Sequence, residues 1–270
     1  MATLIIEHSD SAGSGRFGEV LRDHGHRLEI VRVRRGDAIP ADLAGIDAIV
    51  ACGGPQSPTD DTHSWLAPEM DLLRMAHETS LPVLGLCLGC QVLARALGGD
   101  VGPLEPQDLQ HHRDDAARPT PAATEPPESG VECGWHEVTL TAVGREDPIF
   151  AGISWKSMQM HWHRYHVTTP PPGARLLARS AATPVQAWSL GLRTYGIQYH
   201  PEAYVQTIER WTDEEPETLE QVGLTREVLC RDTDRYYPVF ARLARRLFES
   251  MALLLMPLDR RYGIAKEIHH

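Results

Sequence analysis

The stretch Gly85-Leu86-Cys87-Leu88-Gly89-Cys90-Gln91 sets a thiol between two glycines, where an apolar run gives way to a helical pattern. Glycines permit the cramped strand-to-helix turn from which a nucleophile projects above a sheet. A helix start favours thiolate over thiol. The amide of Leu88, first after the nucleophile, can point at a developing oxyanion. Cys87 is therefore expected to be a nucleophile; the alternative is a small buried hydrophobe. Cys87-x-x-Cys90 also has the spacing of thioredoxin-type dithiols, although its Gly-Leu and Leu-Gly flanks differ from theirs. Were Cys87 oxidised, Cys90 is placed to act as a resolving thiol. A zinc site would need a second pair of this kind, and the sequence has none.

A nucleophile requires a base, and the base a group that orients it. Both stand in Tyr195-Gly196-Ile197-Gln198-Tyr199-His200-Pro201-Glu202. A strand delivers His200 to its C-terminal end, Pro201 fixes the turn that follows, and Glu202 is near enough to accept the other ring N–H. That contact holds the tautomer and stabilises the imidazolium. Cys87, His200 and Glu202 form the expected catalytic set. His161, His163 and His166 also lie close together, but their spacing does not imply metal-ligand geometry. The segment is expected to wall the substrate pocket, with no metal.

Such residues need a scaffold. Residues 3–7, 27–33, 47–52 and 82–86 read as short apolar strands, and 17–24, 68–79 and 88–97 as helices. This alternation predicts an α/β fold, an open and mostly parallel sheet with helices on both faces. Residues 105–130, rich in Pro, Ala, Asp and His, predict a mobile surface loop. Further strands are expected at 138–141, 157–161, 175–178, 185–188 and 194–199, with a hairpin turn at Ser189-Leu190-Gly191. From 203 onward the pattern is helical, longest over 234–256. The expected organisation is an α/β domain over 1–210 and a helical C-terminal extension over 211–270, packed on the same domain.

Composition narrows the function. Lys+Arg number 26 against 37 Asp+Glu, a formal charge of −11, with no clustered basic face. A nucleic-acid partner is thereby disfavoured. No apolar stretch approaches the roughly 20 residues of a bilayer span, so no membrane partner is expected. Five cysteines, an odd number, do not resemble a disulfide framework. Residues 1–6 run into Glu7 and His8, too short for a secretory signal. A cytoplasmic location is the expectation.

Together, the cysteine elbow and Tyr199-His200-Pro201-Glu202 resemble the signature pair of class I glutamine amidotransferases, in particular stand-alone proteins similar to the amidotransferase domain of GMP synthase. Gly53-Gly54-Pro55-Gln56-Ser57, Gly134-Trp135-His136-Glu137-Val138 and His161-Trp162-His163 extend the likeness over about residues 45–250. The resemblance implies a flavodoxin-like sheet and attack of Cys87 on the γ-amide of glutamine or a related γ-glutamyl compound. It implies that His200 protonates the departing ammonia or amine, and that a γ-glutamyl thioester is then hydrolysed. Gly54 would supply the second oxyanion amide beside Leu88. Gly53, Gln91 and the segment His161, Trp162 and His163 would hold the substrate. No cofactor is implied, and any ammonia acceptor would sit on a separate synthetase subunit.

Two positions depart from many relatives, which carry His or another polar residue at Cys90 and Gly-Asp at Arg164-Tyr165. The alternatives are a stand-alone γ-glutamyl peptidase with no acceptor partner and a non-catalytic binding or regulatory protein. An intact Cys87, His200 and Glu202 argues against the last.

Overall fold

The computed structural model describes residues 2–105 and 130–255. The loop expected over 105–130 lies, its two end residues apart, outside the described residues, as does the tail of the expected extension. In chain order the first elements are β1 (Ala2–Glu7), α1 (Gly15–Asp23), β2 (Leu28–Arg32), β3 (Ile46–Ala51) and α2 (Leu66–Glu78). Next come β4 (Val83–Leu86), α3 (Leu88–Ala96), β5 (Asp100–Pro103), β6 (Glu132–Leu140), α4 (Ala142–Glu146) and β7 (Lys156–His163). The remainder is β8 (Tyr165–Thr169), β9 (Arg175–Arg179), β10 (Ala187–Leu190), β11 (Thr194–Ile197), α5 (Val205–Glu214), α6 (Pro216–Gln221) and α7 (Arg226–Leu254).

Nine strands form one sheet in the order β2-β1-β3-β4-β11-β10-β9-β6-β7. From β2 to β11 neighbours run parallel; from β11 to β7 they run antiparallel. Period-2 alternation explains why the parallel half is covered on both faces. Ile5 and Val50 pack on one side with Phe17, Val20 and Leu21 of α1 and Leu247, Phe248 and Met251 of α7. Their neighbours Leu4, Ile6 and Ile49 pack on the other side with Leu66, Leu72 and Leu73 of α2 and Val92 and Leu93 of α3. The α/β architecture read from the sequence is the one observed.

On the antiparallel half, Trp135 and Met160 meet Ile208 and Trp211 of α5, Leu219 of α6 and Phe240 of α7 in a third cluster. The expected break near 210 falls within α5. Two strands were not foreseen. β5 and β8 form a separate antiparallel pair, Val101 opposite Val167, too short and too far apart in sequence to leave a local pattern. β6 starts at Glu132, six residues before the predicted 138, because its ladder with β7 imposes extension on residues 132–137, which show no alternation of their own.

Candidate active site

The sheet turns from parallel to antiparallel at β11, and the candidate residues converge beside it. Cys87 follows β4 and precedes α3 with φ 49° and ψ −108°, a left-handed backbone costing about 1–3 kcal/mol in a non-glycine residue. Its surroundings hold it there: the Cys87 N–H donates to the Ile197 carbonyl at 2.8 Å, tying the turn to β11. Glycine is required at position 89, where a Cβ would lie 2.1 Å from the Ala51 carbonyl oxygen. Leu88 is the first residue of α3, so its N–H has no acceptor within the helix.

His200 stands beyond the end of β11, its N–H bonded to the Met160 carbonyl at 2.9 Å. Its Nδ1 lies 2.7 Å from Glu202 Oε1, and both side chains are buried. The ring's Nε2 has no hydrogen-bond partner among the described residues outside its interaction with Cys87. Burial alone would push the His200 pKa down, but the facing Cys87 and Glu202 override it and hold it well above its usual 6.5. Those two groups therefore favour the protonated form of the imidazole. Trp211 covers the imidazole, ring centroids 4.6 Å apart, and its indole N–H donates to the Ser11 carbonyl at 3.0 Å.

Around Cys87 a chain of amides is locked in place. Gln198 Nε2 donates toward Cys87 Sγ at 3.7 Å, while Gln91 Nε2 donates to Gln198 Oε1 at 3.1 Å and to the Tyr165 carbonyl at 2.7 Å. The loop Gly53-Gly54-Pro55 after β3 is pinned through His8. That buried ring bonds the Cys52 carbonyl at 3.1 Å through Nδ1 and Glu69 at 2.8 Å through Nε2, while the His8 carbonyl accepts from Gln56 Nε2 at 2.8 Å. A methyl group at Gly54 would meet His8 Cβ at 2.7 Å and Leu88 Cδ2 at 3.0 Å, so this loop and the start of α3 are in contact.

These elements enclose a pocket of about 230 Å3, whose lining includes Gly54, Cys87, Gln91, Trp162, His163, His200 and Trp211. That is small beside drug-sized sites and suits a ligand of amino-acid size. Two expected substrate residues are placed differently. Gly53 lies beneath the Cys87–His200 pair, where a Cβ would meet His200 Cε1 at 3.2 Å and Cys87 Cβ at 3.6 Å. His161 points away from the pocket into a buried polar cluster, because strand alternation sends its side chain to the face opposite Trp162.

That cluster centres on Glu132. Its carboxylate accepts from Ser180 at 2.9 Å, Thr183 at 2.7 Å and Gln186 at 2.9 Å, with His163 Nε2 at 3.1 Å and His161 Nδ1 at 3.5 Å. Among the described residues, Glu132, His161 and His163 are the one group whose ligating atoms, within 4.8 Å of one another, could share an ion. The carboxylate's hydrogen bonds tie β6 to Ser180, Thr183 and Gln186 behind the pocket wall. His8, Gln198 and Trp211 were missed from the sequence: His8 and Trp211 stand in polar stretches and Gln198 in an apolar strand, and none belongs to a motif that marks it as part of a site. Cys90 does not share the pocket: it is fully buried and accepts from Trp188 Nε1 at 3.2 Å, and burial pushes its pKa up.

Over 217 residues the chain is 28% identical to the Salmonella typhimurium glutamine amidotransferase-like protein YfeJ, covering 77% of this chain and 79% of that one. It is 31% identical over 182 residues to the glutamine-hydrolyzing GMP synthase of Aeropyrum pernix, a match that takes in 67% of this chain but only 29% of the longer protein. The crystal structure of a glutamine amidotransferase from Methylobacillus flagellatus superposes with a TM-score of 0.77 at 26% identity, covering 94% of this chain and 95% of that one. The family model for class I glutamine amidotransferases matches residues 16–211, a span that holds Cys87, His200 and Glu202. By that match, over more than half of its length, the chain belongs to the class I glutamine amidotransferase family.

Proposed function

We propose that the protein hydrolyses the γ-amide of glutamine or a related γ-glutamyl compound through a Cys87 thioester. The observation that carries this reading is the strained, buried Cys87 facing an imidazole whose other nitrogen is 2.7 Å from a buried carboxylate, at the base of a small pocket. Cys87 thiolate attacks the γ-carbonyl carbon, and the oxyanion is held by the N–H groups of Leu88 and Gly54. The C–N bond breaks as the His200 imidazolium gives its proton to the leaving nitrogen, releasing ammonia or an amine. The neutral imidazole then takes a proton from water, hydroxide adds to the thioester, and expulsion of the thiolate releases the free γ-carboxylate and restores the ion pair. Glu202 orients the ring throughout. The ammonia acceptor in this reading is a separate synthetase subunit, a role suggested by the likeness to GMP synthases.

The test is ammonia release from glutamine and from γ-glutamyl amides by the parent and by Cys87→Ser and Cys87→Ala. Both variants should lose turnover by at least about 10³-fold while keeping the parent's melting temperature. An electrophilic glutamine mimic should add once, to Cys87, and not to the buried Cys52, Cys90 or Cys133 or the exposed Cys230. Undiminished turnover in Cys87→Ser would refute the assignment. A parent that neither turns over nor is labelled would point to a binding protein on the same scaffold.

A further inference from the structure

The pocket wall contains two opposite charges that the bond-breaking step does not use. Arg164, between β7 and β8, and Glu215, between α5 and α6, both line it. One buried hydroxyl joins them: Thr218 Oγ1 accepts from Arg164 Nη2 at 2.8 Å and donates to Glu215 Oε2 at 3.1 Å. The same Oε2 accepts from Trp162 Nε1 at 3.1 Å, and the Trp162 carbonyl lies 4.0 Å from Cys87 Sγ. Arg164 Nη1 is further held by Gln221. Thus both charged groups are aimed by neutral partners, and neither forms an ion pair with another described residue. An arginine has five N–H donors, and two of those on Arg164 are engaged here.

Two half-buried, oriented charges of opposite sign in a pocket of amino-acid size are matched by a ligand that carries both signs. Resting on the hydrolase reading above, we infer that Glu215 and Arg164 form a clamp for the amino-acid end of a γ-glutamyl substrate, Glu215 taking the α-ammonium and Arg164 the α-carboxylate. Each contact is a charge-assisted hydrogen bond, and a fork-shaped guanidinium suits a planar carboxylate. The clamp places specificity on α-amino-acid amides and leaves the identity of the departing amine open. Glu214 and Glu217, which also line the pocket, are exposed and project into solvent, where their charge is screened. They serve as the comparison.

The experiment uses three amides of one amine, ammonia included: the γ-glutamyl amide, the glutaryl monoamide, which lacks the α-ammonium, and the 4-aminobutyryl amide, which lacks the α-carboxylate. In Glu215→Gln, the preference for γ-glutamyl over glutaryl in kcat/KM should fall at least about 10-fold. In Arg164→Gln, the preference for γ-glutamyl over 4-aminobutyryl should fall by as much. Both losses should appear mainly in KM, as expected for contacts equal in ground and transition states. Glu215→Asp, which keeps the charge, should recover part of the preference, and Glu217→Gln should shift neither ratio. Folded variants whose ratios stay within about twofold, or a loss in Glu217→Gln in place of Glu215→Gln, would overturn the clamp. Those outcomes leave the hydrolase reading intact, whereas a parent inactive on every amide overturns both.

Discussion

Replacing Glu202 by Gln keeps the shape of the side chain that faces His200 and removes its charge. The carboxylate is buried and lies 2.7 Å from His200 Nδ1. It is one of the two groups that, against the opposing effect of burial, hold the imidazole's pKa well above 6.5. An opposite charge at this range moves a pKa by about 1–3 units, each worth about 1.4 kcal/mol. Without it, the alkaline limb of the kcat/KM profile, set by loss of the His200 proton, should move down by about one unit or more. Turnover near neutrality should fall about 10-fold or more. Stability follows with a defined sign. The folded protein binds this proton more tightly than the unfolded chain, so the site's contribution is complete below about 6.5 and is lost as pH rises through the raised folded value. In Glu202→Gln that loss begins at lower pH. Glu202 Oε2 makes no hydrogen bond among the described residues, so the new NH2 is left buried and unpaired at a cost of about 1–3 kcal/mol. The assays are pH–rate profiles for glutamine and melting curves between pH 6 and 9, parent against variant. A folded variant with an unmoved alkaline limb and a rate within twofold of the parent would refute the role given to Glu202.

Two further outcomes are expected. Gly89→Ala brings a methyl group 2.1 Å from the Ala51 carbonyl oxygen; two backbone segments would have to part, so a loss of about 3 kcal/mol, roughly 6–12 °C in Tm, is expected together with weaker labelling of Cys87. An unchanged Tm would show that α3 has slack against β3. Cys90→Ser should match the parent in recovery by dithiothreitol after mild peroxide, because Cys90 is held in the core by the Trp188 indole. A Cys87–Cys90 disulfide found by mass spectrometry in the parent alone would reinstate Cys90 as a resolving thiol.

Some of this protein is written in local sequence. Period-2 strands and helical spacing reveal the parallel half of the sheet, because each element buries its own apolar face whatever its neighbour. The Gly-x-Cys-x-Gly turn is legible in part for a similar reason: Gly85 answers a clash within one strand–helix unit, against the Gly89 carbonyl at 2.5 Å, whereas Gly89 answers Ala51 of β3. His200 and Glu202 are two residues apart, so their contact could be anticipated without a fold. What local sequence does not carry is direction across the chain. It names His161, Trp162 and His163 alike, and only the β6–β7 ladder decides that His161 turns to Glu132 while Trp162 turns to the pocket. It cannot bring Trp211 of α5 onto His200, or join Arg164 to Glu215 through Thr218, since those contacts depend on how α5 and α6 pack against the sheet, and Arg164 and Thr218 are 54 residues apart. Chemistry that depends on adjacent residues was determined by the sequence; the walls of the pocket, assembled from segments that meet only after the sheet and its helices pack, were decided by the tertiary structure.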